Sequence, residues 1–72
     1  MKTASENLLD LLKREYPNWL ASGNIERMEI KNRDGTLATP RSLVRRLEEL
    51  REEGKLLVEY RGKNHAFYQY NK

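Results

Sequence analysis

The chain has 72 residues, a formal net charge of +3, no cysteine and one histidine. That length suits one compact domain spanning residues 1–72, with a core built without disulfides. No apolar run nears the roughly 20 residues a bilayer span needs, and the polar opening Met1 to Asn7 lacks a secretion signal's hydrophobic region, so a cytoplasmic protein with no membrane partner is expected.

Thr3 and Glu6 form a capping-box pair, each side chain placed to satisfy a free amide of a first helical turn. Leu8, Leu9, Leu11, Leu12 and Tyr16 then recur at helical spacing, with Asp10, Lys13, Arg14 and Glu15 on the outer face, until Pro17 stops the pattern. Trp19 and Leu20 fall between Pro17-Asn18 and Ser22-Gly23-Asn24, which leaves room for a short extended strand. A brief second helix follows, capped by Ser22 or Asn24 and using Ile25 and Met28 as its apolar contacts. It reaches toward Glu29-Ile30 and ends before the turn at Asn32-Arg33-Asp34-Gly35.

Thr39-Pro40 is the clearest helix start, because threonine caps and proline is pre-set for the first helical position. Leu43, Val44, Leu47 and Leu50 mark its core face and Gly54 its end. Arg41, Ser42, Arg45, Glu48, Glu49 and Glu52 face away, with Arg46 on the flank. The period then changes to two: Leu56, Val58 and Tyr60 lie on one strand, Ala66, Tyr68 and Tyr70 on the next, and Arg61-Gly62-Lys63-Asn64 joins them as a hairpin loop. The expected fold class is α+β, in the order helix, short strand, helix, helix, strand, strand.

This order resembles the winged helix-turn-helix domains of prokaryotic transcription regulators. The likeness is carried by the run from Thr39-Pro40-Arg41 through Leu43, Leu47, Gly54 and Leu56, the Tyr60-to-Tyr70 hairpin, and a tryptophan-bearing segment before the second helix. It covers nearly the whole chain. It implies a three-helix bundle closed by a hairpin wing, and double-stranded DNA as partner. The third helix would enter the major groove by its N-terminal end, with the wing on the backbone or in the minor groove. Arg41, Ser42 and Arg45 then face the bases, Thr39 and Arg46 lie beside them, and Arg61, Lys63 and Asn64 of the wing meet phosphates. The connection from Asn32 to Ala38 departs from the pattern, being longer than the usual turn of about 3–4 residues.

The charges of the third helix bear on the same question. Arginines crowd its first half and Glu48, Glu49, Glu52 and Glu53 its second, against the helix dipole, at a typical cost of about 0.3–1 kcal/mol per charge. A phosphate backbone would account for basic residues there. Surface ion pairs of Arg45 and Arg46 with Glu49, and of Glu48 with Arg51, are the alternative account, which the flanking architecture disfavours. The basic hairpin tip likewise reads as a phosphate contact or as an ordinary solvated turn. Trp19, Phe67, Tyr68 and Tyr70 read as core rather than as stacking platforms for unpaired bases.

Catalysis is not expected, since the chain has no glycine-rich phosphate loop, no cysteine nucleophile and no serine elbow. One histidine without cysteine gives no familiar zinc set, and neither cofactor nor small-molecule ligand is expected. Two functions follow from the residues. One, which the resemblance implies and the basic helix start and wing support, is DNA binding by a transcription regulator or a phage- or plasmid-type control protein located on the nucleoid, with monomer, homodimer and larger assembly all open. The other is a protein-interaction module that meets a basic partner through its acidic half-helix.

Overall fold

A computed structural model describes residues 2–63 and 65–72. The described residues form α1 (Ala4–Glu15), β1 (Leu20–Ala21), α2 (Ser22–Glu26), α3 (Pro40–Glu52), β2 (Leu56–Tyr60) and β3 (Ala66–Tyr70). This is an α+β arrangement of three helices and one antiparallel sheet of order β1-β3-β2. No helix among the described residues is long and apolar enough to cross a membrane.

The ends of the longer helices follow local chemistry. Thr3 Oγ1 accepts from the Glu6 amide at 3.2 Å, and the Glu6 carboxylate accepts from the Thr3 amide at 3.1 Å, completing the capping box. Hydrogen bonding from the Thr3 amide, and then from the Thr3 side chain, holds the Glu6 carboxyl below its ordinary pKa. At α3 the Thr39 hydroxyl accepts from the Ser42 amide at 3.2 Å, with Pro40 at the first helical position. Its C-terminus closes as a Schellman turn: the Gly54 amide donates to the Arg51 carbonyl and the Lys55 amide to the Leu50 carbonyl. The turn requires a left-handed residue, which Gly54 supplies at φ 79°.

The second helix differs from expectation. It spans only Ser22–Glu26, and neither Ser22 nor Asn24 caps it; Ala21 holds the cap position without a side-chain bond. The reason lies in the sheet. Ala21 is already extended, paired with Phe67, so the chain passes from strand to helix with no free residue between them. Met28 and Ile30 lie beyond the helix, yet Ile30 is buried and Met28 packs against the core.

The long connection before α3 folds back on itself. Lys31 bridges Leu37, the Asn32 amide donates to the Thr36 carbonyl, and the Ala38 amide donates to the Ile30 carbonyl at 2.8 Å. Asp34 closes the loop by accepting from both the amide and the hydroxyl of Thr36, which lowers its pKa, and Gly35 takes φ 91°. The two ends of this excursion are therefore adjacent. The extra residues project outward, and α2 and α3 stay in contact as they would across a short turn.

In the sheet, Tyr68 sits between Leu20 and Val58, while Leu56 pairs with Tyr70 and Tyr60 with Ala66. Tyr68 and Leu56 enter a core with Ala4, Leu8 and Leu12 of α1, Ile25 of α2, Ile30, and Leu43, Leu47 and Leu50 of α3. Three residues assigned to the core need correction. Val44 is 38 % exposed, because the burying stripe of α3 runs through Leu43, Leu47 and Leu50 and leaves Val44 on its margin. Trp19 and Phe67 are half-buried and outside the core: Phe67 alternates with Tyr68 along β3 and so falls on the opposite side of the sheet, while Trp19 precedes β1.

Candidate nucleic-acid interface

The solvent side of α3 gathers most of the residues singled out from the sequence. Thr39, Arg41, Ser42, Arg45 and Arg46 line one open depression, and Val44 and Glu49 join them there. Helical geometry explains the grouping, since positions 41, 42, 45 and 49 share a face while 43, 47 and 50 carry the leucines inward. Val44 and Glu49 were not singled out as site residues from the sequence. The sequence signal for Glu49 is its spacing of four from Arg45, which reads as ion pairing or as part of the acidic half-helix.

The side chains differ in how far they are already engaged. Arg41 is exposed and makes no ion pair among the described residues. Arg45, whose side chain is 83 % exposed, lies 3.4 Å from Glu49, and Arg46 lies 3.6 Å from the same carboxylate. Exposed pairs of this kind contribute little to stability, about 0.2–0.5 kcal/mol each on a helix, so both arginines exchange partners readily. The Thr39 hydroxyl is committed to the helix cap and Ser42 is half-buried beneath it.

None of the described residues of the hairpin loop lines this depression. Arg61 lies over the Phe67 ring at 4.7 Å from its centroid and donates to the Glu59 carboxylate at 3.3 Å, on the sheet side away from the core. Its backbone amide donates to the His65 carbonyl at 2.8 Å, which closes the loop. Lys63 is exposed at the tip. Asn64, the remaining loop candidate, lies outside the described residues.

A polar network ties α3 to the sheet. The Tyr68 hydroxyl donates to Glu48 Oε1 at 3.2 Å, and Arg51 donates to Glu48 Oε2 at 2.9 Å, so both carboxylate oxygens are engaged. Burial first, and the Glu48 charge second, push the Tyr68 phenol up from 10.0 to about 12. An acid raised in the folded state favours folding below its unfolded pKa and loses that contribution as pH climbs through the folded one. In urea titrations, the stability advantage of wild type over Tyr68→Phe should hold up to about pH 10 and shrink between 10.0 and about 12. An advantage that stays constant across that window would show that the phenol is not held in this way.

No family model, curated protein or solved structure matches the chain. Its function therefore rests on the arrangement of its own residues.

Proposed function

We propose that the chain is a non-enzymatic winged helix-turn-helix domain that binds double-stranded DNA, acting as a transcription regulator or a phage- or plasmid-type control protein on the nucleoid. The observation that carries this reading is the gathering of Thr39, Arg41, Ser42, Arg45 and Arg46 on the outer face of a capped helix whose other face is buried. Such a helix offers guanidinium groups, which bind guanine edges and phosphates, from a rigid element of a width the major groove accepts. The element order β1-α2-α3-β2-β3 places a hairpin directly after this helix, as the wing of such domains requires. The fold-back of residues 31–37 removes the main departure from the pattern, since Ile30 and Ala38 meet despite the long connection.

A fluorescence-anisotropy titration tests the reading, using mixed-sequence duplex at low and near-physiological salt with a matched single strand as comparator. Duplex binding should weaken with salt by a log–log slope of about −0.9 for each phosphate neutralised, and the single strand should bind less well. Absence of duplex binding even at low salt would overturn the reading. It would favour the protein-interaction module, for which the specific support is the pairing of Arg45 and Arg46 with Glu49 and the exposure of Leu57 on the outer sheet face.

A further inference from the structure

Glu48 and Glu49 are neighbours in the sequence with different surroundings. Glu48 has both oxygens bonded, to the Tyr68 hydroxyl and to Arg51, in a network that joins α3 to the sheet. Glu49 faces the depression of Arg41, Ser42 and Arg45. Its contacts to Arg45 and Arg46, at 3.4 and 3.6 Å, are longer than the roughly 2.7–2.9 Å of a charge-assisted hydrogen bond. They hold the guanidinium groups nearby without using up the carboxylate's acceptor capacity.

A carboxylate is a poor group to place where phosphates approach, because it repels them. It has a use on the reading face of a major-groove helix: it accepts from the cytosine N4 amine, while an arginine donates to guanine O6 and N7. Arg45 approaches Glu49 through Nε, leaving its terminal nitrogens to donate outward. We infer that Glu49, together with Arg45, makes this helix select a G·C pair, Glu49 accepting from the cytosine and Arg45 donating to the guanine. The inference rests on the DNA-binding reading above and adds the base preference of the site. The repulsion between Glu49 and phosphates then serves discrimination, lowering affinity for duplexes that lack the pair.

The test is selection from a duplex library with a randomised centre, carried out with wild type, Glu49→Ala and Glu49→Gln, alongside titration of each with mixed-sequence duplex. Wild type should favour G·C at one position by about 5- to 150-fold, the range of a good specific base contact. Glu49→Ala should lose that preference while binding mixed-sequence duplex at least as tightly as wild type. Glu49→Gln should shift the position toward A·T, because a carboxamide pairs with adenine N6 and N7. Circular dichroism of both variants separates these results from misfolding, to which an exposed pair contributes little. Duplex binding by all three proteins with unchanged preference would overturn the assignment of Glu49 and leave DNA binding intact. Failure of wild type to bind any duplex would overturn both.

Discussion

Replacing Leu47 by alanine should destabilise the fold by about 2–5 kcal/mol, the range for emptying a fully buried leucine site. Leu47 has no exposed surface and sits in the core shared by α1, α3 and the sheet. A chain of this length has a total stability of only about 4–11 kcal/mol at typical per-residue values, so this one substitution removes a large fraction of it. The melting temperature should fall by roughly 10–40 °C, at about 4–8 °C per kcal/mol for domains of this size. Val44→Ala is the informative control. It removes apolar atoms from the same helix, but from a site 38 % exposed, and should cost less than about 1 kcal/mol. Similar losses for the two variants in thermal melts followed by circular dichroism would contradict the placement of α3 on the core.

Arg45→Ala and Lys63→Ala should weaken DNA binding in different ways. Arg45 lies on the outer face of α3, where a guanidinium that reads guanine contributes about 1–3 kcal/mol of discrimination. Its loss should flatten the preference among duplex sequences, with a smaller effect on binding to random DNA. Lys63 stands exposed at the hairpin tip and would meet phosphates, which carry no sequence information. Its replacement should weaken all duplexes alike and reduce the salt slope by about one unit. Anisotropy titrations against the selected site and a scrambled duplex, each at several salt concentrations, separate the two effects. Equal losses on both duplexes for both variants would contradict the division of roles between helix and hairpin.

Much of this architecture was legible from the chain alone. The Thr3 and Thr39 caps, the stop at Gly54 and the change of period that follows it depend on interactions within one or two turns, so the residues that cause them are neighbours in the sequence. The pairs of Glu49 with Arg45 and Arg46, and of Glu48 with Arg51, formed for the same reason: helical spacing brings those side chains together wherever the helix lies. The order of elements and the composition of the outer face of α3 followed from periodicity.

Where elements meet distant parts of the chain, local pattern was insufficient. Val44 lies at a spacing that suits burial, but the width of the contact with α1 and the sheet decides which side chains on that face are covered. Pairing of Ala21 with Phe67 displaced the cap of α2, and strand alternation turned Phe67 away from the core. The separation of Glu48 from Glu49 is the same effect at the candidate site. Sequence alone determined that both carboxylates would lie among arginines on one helix. Only the tertiary structure decided that Tyr68, 20 residues further along, would engage Glu48 and leave Glu49 facing the groove of arginines, because that contact exists only once the sheet packs against α3.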